Sequence, residues 1–458
     1  MAFNQDFASC LSRIGEDCFK YHYTAWPGAW SLIISFFFLT FGIIHNLIFY
    51  LSSILGAISI VMMFLFTYKL FDNEKIALWA SFLLSILSIH LKMSGTAALS
   101  SINILMILLT FYILLCFVEK PDKNRLGLLL VFSTLFLSYL RIENFLYILL
   151  FGLFLWLSNK KYRKPKFNKS YWKNNSSKIF LYIMLLILLL IPQYQHLKIG
   201  VQSETPNWNF SVEEQTYYLQ AYLGDNLKFW FDGEYSPLIY TILGLTGLAL
   251  LFFNSRRSDS SYSIPIMLVV WFIIFYIFFS LYPAGNFFHG SNFRYSQHQF
   301  IPLILGAAYI LYYGMSKIHS YRTRIIALTL IIMLLLLSAW NYRAFITSSF
   351  PLQKEKAHLR DNVEFMPYDC LLLSNEPFII NAMTDRYAVY GIYLQNPEVK
   401  QHFRNSQCKY GLFIEHLEDF KQKRITGLKE VFILEPYTYI ESPSFDYIYS
   451  LYLLKDKR

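Results

Sequence analysis

Long apolar runs joined by short polar links dominate the chain from about residue 28 to residue 341. Most of these runs have about the 17–25 residues that a helix needs to cross a bilayer. They predict ten membrane-spanning helices, preceded by a shorter apolar segment at 28–44 that fits a helix at the membrane interface. The predicted spans are about 47–70, 75–92, 98–118, 125–140, 142–157, 178–196, 236–254, 263–282, 299–316 and 324–340.

The pattern changes near residue 342, where charged residues become more frequent and the long apolar runs stop. Short apolar stretches at 369–374, 388–392, 410–414 and 430–434 predict buried strands, and 375–383 and 417–423 predict helices. The fold class predicted for the chain is a polytopic α-helical membrane protein with a small C-terminal α/β domain.

Composition supports the membrane class, because 55% of the residues are hydrophobic and 15% are charged, against about 25% charged in soluble proteins. The net charge of +10 predicts no nucleic-acid partner, since the basic residues lie in loops on one side of the predicted membrane. The sequence contains no CxxC or His-rich metal pattern. Cys10 with Cys18 and Cys370 with Cys408 would be disulfide candidates if both regions lie outside the cytoplasm.

Loop charge predicts the orientation, because basic loops stay in the cytoplasm. The loop that follows residue 157 is rich in lysine and has no acidic residue up to residue 173, whereas the loop at 197–235 is acidic. We therefore expect a multi-pass protein of the inner or plasma membrane. Its predicted parts are a first outer loop with the interfacial helix (1–46), the bundle (47–341) with outer loops at 197–235 and 283–298, and an extracytoplasmic domain (342–458).

Three cations lie at the predicted outer ends of spans: Lys92, Arg141 and Arg294. A charged side chain at bilayer depth costs about 2.5–3.5 kcal/mol on insertion scales, so each cation should face a cavity or an anion. We interpret them as ligands of a lipid-linked phosphate. The polar residues expected to support them are His90, Glu143, His289, Tyr295 and His298.

Each candidate also has a purely structural interpretation. Lys92 could extend to the interface, Arg141 could form a buried ion pair with Glu143, and Arg294 could pair with an acid of a neighbouring loop. Asp6 and Asp17 are acids near the expected site from the N-terminal side, and a carboxylate there could act as a general base. Acidic residues in a polar segment are more often solvated surface charges.

Several short motifs, taken in order along the chain, resemble those of one enzyme family. They are Tyr21–Trp30, Leu51–Ala57 running to Tyr68–Phe71, Ile89–Leu99, Leu140–Asn144, and Arg294-Tyr295 with Pro302. This series resembles the integral-membrane glycosyltransferases of the C superfamily, in particular the bacterial branch related to protein O-mannosyltransferases and aminoarabinose transferases.

The resemblance implies a polyprenyl-phosphate-linked sugar as donor and an inverting transfer on the outer face to an acceptor glycan, lipid or protein. Lys92, Arg141 and Arg294 match the places where the family binds the donor phosphate. Asp6 and Asp17 stand in for the catalytic acid by proximity alone. The resemblance fixes no cofactor, although a divalent cation is compatible with it.

The chain departs from the family pattern in two places. The helix and the Asp-Glu pair that precede Ala8–Gly15 in the family have no counterpart, so we expect the sequence to begin just past them. Ser100 and Ser101 stand where the family often has an acid. These departures keep an alternative open, namely an inactive relative or a non-enzymatic protein that binds or exports lipid or polysaccharide. An exporter would need broken helices and mid-membrane polar groups, whereas polarity here clusters at outer helix ends.

Overall fold

A computed structural model describes most of the membrane region and part of the C-terminal domain. The described residues are 9–14, 17–22, 29–42, 45–96, 98–121, 123–161, 184–185, 187, 191, 212–235, 237–257, 263–282, 285–288, 292–347, 358–366, 371–374, 380, 387–390, 410–414, 432–441 and 448–456. The chain divides into two compact units, one formed by residues 24–347 and the other by residues 3–23 together with 348–458.

The unit at 24–347 is helical throughout its described part. Its helices are α1 Ala29–Phe41, α2 His45–Phe71, α3 Glu74–Ile86, α4 Ser88–Ser94, α5 Ser100–Glu119, α6 Asn124–Leu140, α7 Leu146–Lys161, α8 Val212–Asp232, α9 Leu238–Arg257, α10 Ser263–Leu281, α11 Gln297–Lys317, α12 Tyr321–Asn341 and α13 Arg343–Thr347. Two short 3₁₀ helices, Ile142–Phe145 and Asn292–Ser296, precede α7 and α11.

The predicted class is confirmed, because six described helices are long and apolar enough to cross a membrane, and seven if α3 and α4 count as one span. Five of the six lie in α2, α5, α9, α10 and α12, and the sixth is α11 together with the 3₁₀ segment Asn292–Ser296. The predicted spans at 125–140 and 142–157 are shorter apolar helices. The predicted span at 178–196 lies almost wholly outside the described residues.

The predicted continuous span at 75–92 is wrong, because α3 and α4 meet at an angle of 62°. Leu87, between them, has an extended backbone (φ −66°, ψ 120°). Broken helices persist at membrane depth where protein groups satisfy the freed backbone. Here the hydroxyl of Tyr240 donates to the carbonyl of Leu83 at 3.0 Å. The hydroxyl of Ser88, at the start of α4, donates to the carbonyl of Tyr235 at 2.6 Å and so anchors α4 to the turn before α9.

Residues 212–232 of the predicted outer loop at 197–235 form helix α8, and the outer location of this loop stays a prediction. Asn226 joins α8 to the segment that follows α10. Its amide nitrogen donates to the carbonyl of Gly285 at 3.1 Å, and its amide oxygen accepts from the Phe287 N–H at 3.0 Å. The side chains of Phe229 and Trp230 are also buried. The aromatic residues of this stretch therefore include members of the core as well as exposed side chains.

Close helix packing depends on glycine at the crossing of α9 and α11. A Cβ on Gly247 would overlap the carbonyl of Gly306, and a Cβ on Gly244 would lie 2.8 Å from Leu303. Small residues let membrane helices approach to backbone contact. This crossing supports the start of α11, which follows directly on the 3₁₀ segment Asn292–Ser296.

The second unit contains two sheets. β1 Ser9–Ile14 and β2 Asp17–His22 form an antiparallel pair that the sequence pattern did not predict. The other sheet has the order β4-β3-β5-β7-β6, with β3 Leu371–Ser374, β4 Tyr387–Tyr390, β5 Tyr410–Ile414, β6 Phe432–Glu441 and β7 Ile448–Asp456. β3 is parallel to β4 and β5, whereas β7 is antiparallel to β5 and β6.

The four predicted strands of the C-terminal domain are confirmed, although β6 runs further than predicted and β7 was missed. Pro436 and a bulge interrupt the regular pattern of β6, which explains why its second half was not recognised. The core of this sheet includes Leu359, Leu372, Leu412 and Leu451. The predicted helices at 375–383 and 417–423 lie outside the described residues, apart from Ile380.

Candidate functional site

Lys92 reaches the start of α11 because the break at Leu87 redirects α4. Its ammonium nitrogen lies 5.2 Å from the ring centroid of Phe293 and 4.1 Å from that of Phe345. Phe293 belongs to the 3₁₀ segment Asn292–Ser296, and Phe345 belongs to α13. An ammonium within about 6 Å of a ring centroid is attracted by the ring face. Lys92 is therefore held by protein rings instead of extending away from the bundle.

Arg141 and Arg294 meet at a second ring of the same 3₁₀ segment. The guanidinium carbon of Arg141 lies 4.7 Å from the ring centroid of Tyr295, and that of Arg294 lies 5.3 Å from it. Tyr295 itself is buried. The three predicted cations are thus brought to two aromatic rings that stand two residues apart in one short segment.

Arg141 also forms the buried ion pair with Glu143 that was the purely structural interpretation of this residue. Its Nε donates to Oε1 of Glu143, and the two side chains are 5% and 4% exposed. The carboxylate is shared, because Nε2 of His298 lies 3.7 Å from the same oxygen. Nδ1 of His298 is in turn 2.8 Å from the hydroxyl of Tyr147, which is fully buried. Because Glu143 neutralises Arg141, this arginine adds hydrogen-bond donors to the site without adding net charge.

Two guanidinium nitrogens at this site have no hydrogen-bond partner within the described part of the chain: Nη2 of Arg141 and Nε of Arg294. A buried donor without a partner is costly, so such a group usually binds a ligand or a water molecule. Both guanidinium groups lie against the ring of Tyr295. The arrangement is chemically suited to an anion with several oxygen atoms.

A groove of about 760 Å³ lies close to this cluster. Its walls are the turn between α8 and α9, the last turns of α12, and α13. The lining residues are mainly apolar, with a few polar groups: Gly233, Glu234, Pro237, Leu238, Ile239, Leu334, Leu337, Ser338, Asn341, Tyr342, Ala344 and Phe345. Phe345 therefore lines the groove and also contacts Lys92.

Tyr235 joins the groove to the 3₁₀ segment. Its ring stacks on Phe293 at 5.3 Å between centroids and meets Phe345 edge-on at 5.5 Å. Burial and the neighbouring Glu234 raise the pKa of Tyr235 to about 12, so its hydroxyl stays protonated at neutral pH. Tyr342 donates its hydroxyl to the carbonyl of Gly233 and holds the end of α12 against this turn.

The remaining predicted residues are placed less closely or are not described. His90 is buried and contacts the backbone of Gly56 on α2. It lies two positions before Lys92 on α4, so the two side chains point to different faces of that helix. Asp6 and His289 lie outside the described residues. Asp17 lies in β2, but its side chain is not described. The cysteines Cys10, Cys18, Cys370 and Cys408 are likewise not described as side chains, so both disulfides stay predictions. In the described ranges, no group of three His, Cys, Asp or Glu side chains could hold a metal ion.

Sequence reasoning missed Tyr147, Phe293 and Phe345. Tyr147 could have been found, because it follows Glu143 by four positions and so shares its helical face. Asn144 has a structural role, since its amide nitrogen donates to Asn103 Oδ1 and to the carbonyl of Leu137, both at 2.7 Å. These bonds tie the turn at 142–145 to α5 and α6.

No known family model and no curated protein matches the sequence. Solved structures with a similar fold include the oligosaccharyltransferase AglB from Archaeoglobus fulgidus in complex with an inhibitory peptide and a dolichol-phosphate, with a TM-score of 0.56 and 10% identity over 94% of this chain and 67% of that one. AglB in complex with Zn and sulfate gives a TM-score of 0.54 at 11% identity, over 94% of this chain and 65% of AglB. The chain thus spans about two thirds of the length of AglB.

ArnT from Cupriavidus metallidurans, bound to undecaprenyl phosphate, is also similar, with a TM-score of 0.53 and 11% identity over 93% of this chain and 87% of ArnT. At these identities the likeness shows the fold alone. It agrees with the resemblance to membrane glycosyltransferases of the C superfamily at the level of the fold. The relation to bacterial protein O-mannosyltransferases stays a prediction.

Proposed function

We propose that this protein is a membrane glycosyltransferase that moves a sugar from a polyprenyl-phosphate-linked donor to an acceptor on the outer face of the membrane, with inversion. The isoprenoid chain of the donor would lie in the apolar groove and its phosphate at the cations. Lys92 and Arg294 would contact the phosphate as cations, and Arg141 would add directed hydrogen bonds. Such groups would stabilise the negative charge that develops as the sugar–phosphate bond breaks.

One observation carries the proposal: Lys92, Arg141 and Arg294 gather on the rings of Phe293 and Tyr295. The unpartnered nitrogens of the two arginines support an anion as their ligand. The groove beside Phe345 supports an amphipathic ligand with a long apolar part. The dolichol-phosphate bound to AglB and the undecaprenyl phosphate bound to ArnT support a polyprenyl carrier for this fold.

A second candidate is a protein that binds or exports the lipid carrier without transferring its sugar. One observation favours it, because Glu143, the carboxylate in contact with Arg141, is neutralised by that arginine. A transferase would need a free carboxylate as general base for the acceptor, and Asp6 and Asp17 remain the proposed ones. The break between α3 and α4 also suits a moving segment.

The direct test measures undecaprenyl phosphate binding and sugar release from a polyprenyl-phosphate sugar by the purified full chain. Lys92→Ala and Arg294→Ala should each weaken binding at least tenfold and abolish release. Lys317→Ala is the matched control, because its ammonium also lies over a ring, that of Tyr313 at 5.2 Å, at the far end of α11. Normal binding in both site variants would exclude the phosphate role. Binding without release by the wild-type protein would favour the second candidate.

The outer location of the site rests on the loop charges and needs its own test. In a background without native cysteines, Lys228→Cys on α8 should react with an impermeant thiol reagent on intact cells. Tyr321→Cys, at the start of α12, should not react until the membrane is opened. Lys228 is 76% and Tyr321 75% exposed, so a difference in labelling would reflect the side of the membrane on which each residue lies. The reverse labelling would place the cations on the cytoplasmic face.

A further inference from the structure

Four buried side chains from different elements form a chain of polar contacts behind the cations. Tyr147 on α7 contacts His298 on α11, His298 faces Glu143 in the 3₁₀ turn, and Glu143 binds Arg141. All four side chains are at most 5% exposed. Buried polar groups are retained where each satisfies the next, because a partly satisfied network destabilises the fold.

The positions of Glu143 and Tyr147 determine which nitrogen of His298 carries the proton. Nε2 of His298 faces the carboxylate of Glu143, so the imidazole proton belongs on Nε2. Nδ1 is then an acceptor, and the hydroxyl of Tyr147 at 2.8 Å donates to it. The carboxylate therefore accepts a hydrogen bond from Nε of Arg141 on one side and has Nε2 of His298 at 3.7 Å on the other. With its carboxylate held from both sides, Glu143 fixes the orientation of the Arg141 guanidinium.

The polar atoms of Glu143 and His298 face Arg141, Tyr147 and each other, so we assign these two residues no direct part in sugar transfer. What the chain of contacts can do is orient Arg141. Nε is taken by Glu143 and the guanidinium carbon lies 4.7 Å from the ring centroid of Tyr295, so two contacts hold the group that carries the unpartnered Nη2. A guanidinium that already points at its ligand loses less freedom on binding.

We infer that His298 is a positioning residue, which together with Tyr147 holds Glu143 and so aims Nη2 of Arg141 at the phosphate of the lipid carrier. This inference rests on the proposed function, since it takes Arg141 as a phosphate ligand. It assigns a role in ligand affinity to two side chains that touch neither the phosphate nor the sugar.

The experiment measures the affinity of the purified full chain for undecaprenyl phosphate and, in parallel, for undecaprenol, which lacks the phosphate. His298→Leu should weaken undecaprenyl phosphate binding about tenfold, the lower end of the loss that follows removal of a residue orienting a metal ligand. His298→Gln should keep most of the affinity, because its amide nitrogen can replace Nε2 as the donor to Glu143. Binding of undecaprenol should stay the same in both variants.

Tyr147→Phe is the second variant, and it tests the same chain of contacts if His298→Leu does not fold. It removes one oxygen atom and should also weaken undecaprenyl phosphate binding. Tyr309→Phe is its matched control, because the Tyr309 hydroxyl bonds the amide of Asn254 at 3.1 Å, away from the cations, and its loss should leave the affinity unchanged.

Three results would overturn the inference: unchanged affinity in His298→Leu and Tyr147→Phe, an equal loss in His298→Gln and His298→Leu, or a loss that undecaprenol shares. Arg141→Gln separates this failure from failure of the proposed function. If Arg141→Gln weakens phosphate binding while the His298 variants do not, the inference alone is wrong. If Arg141→Gln binds undecaprenyl phosphate as well as the wild type does, Arg141 is not a phosphate ligand and the proposed function is wrong on this point.

Discussion

The two ends of the helical unit both carry basic and acidic side chains, but these side chains lie in different surroundings. The Lys92 end carries Lys92, the turn Ile142–Phe145 and the segment Asn292–Ser296, and its cations lie on aromatic rings or in a buried ion pair. The Lys69 end carries the last turns of α2, α5 and α11. There, Lys69 binds Glu119 at 2.6 Å, with the two side chains 27% and 40% exposed. The Lys69–Glu119 pair is therefore partly solvated, whereas the Arg141–Glu143 pair is desolvated.

The backbone differs in the same way. At the Lys69 end, α3 and α12 begin with capping side chains, those of Asn73 and Ser320. At the Lys92 end, α3 breaks into α4, and 3₁₀ segments precede α7 and α11. Irregular backbone next to desolvated cations is typical of a binding site, because regular helices would serve stability better. The difference between the ends leads to four predictions, whose expected effects decrease in order.

Removing one partner of the buried ion pair should have the greatest consequence. Glu143→Gln leaves the charge of Arg141 buried without its carboxylate, which should lower the free energy of unfolding by about 3–5 kcal/mol. Glu119→Gln at the Lys69 end should cost about 0–1 kcal/mol, because Lys69 remains partly solvated. Unfolding in mixed detergent micelles measures both. The double variant Arg141→Met with Glu143→Gln should recover much of the loss, and equal losses in the two single variants would contradict the distinction between the ends.

Removing the hydroxyl that supports the broken span should come next in size. Tyr240→Phe leaves the buried carbonyl of Leu83 without its donor and should cost about 1–3 kcal/mol in the free energy of unfolding. Tyr309→Phe, which loses a partly buried hydrogen bond near the Lys69 end, should cost about 0.5–1.5 kcal/mol. A negligible cost for Tyr240→Phe would mean that the break at Leu87 does not depend on this bond.

The ring contacts of the lysines should contribute less. A double-mutant cycle on Lys92→Gln and Phe345→Leu should give a coupling free energy of about 1 kcal/mol in favour of the contact, because the ammonium is close to the ring and partly desolvated. The same cycle on Lys317→Gln and Tyr313→Leu should give about half as much, since that contact is longer. Equal couplings would show that the shorter and less solvated contact of Lys92 is no stronger than that of Lys317.

Salt should have the smallest effect, and it should weaken the ion pair at the Lys69 end alone. The coupling between Lys69 and Glu119 is at most about 1 kcal/mol and should fall to about half or less at about 1 M salt, where the Debye length is about 3 Å. The coupling between Arg141 and Glu143 should hardly change, because salt does not reach a buried pair. Double-mutant cycles at low and high salt check both. A large salt effect on the Arg141 pair would mean that water enters the site.

The sequence predicted the membrane class, most of the helices and the strands β3, β4 and β5, because each depends on residues that are neighbours along the chain. It also identified Arg141 with Glu143 as a possible pair, since they stand two residues apart. It did not predict the break at Leu87, because no proline or glycine marks it and the supporting hydroxyl belongs to Tyr240, far away in the chain. Nor did it predict β7 or the pairing of β1 with β2.

The amino-acid sequence was sufficient to place this chain in a membrane and to show that Lys92, Arg141 and Arg294 require a special environment. Transfer of a segment into lipid is a sum over its own residues, so the sequence contains that information directly. The packing of the helices was needed to show that Phe293 and Tyr295 provide this environment, and that Tyr147 and His298 hold Glu143 from behind. Those contacts join helices far apart in the chain, and their geometry depends on how α4, α7 and α11 pack together.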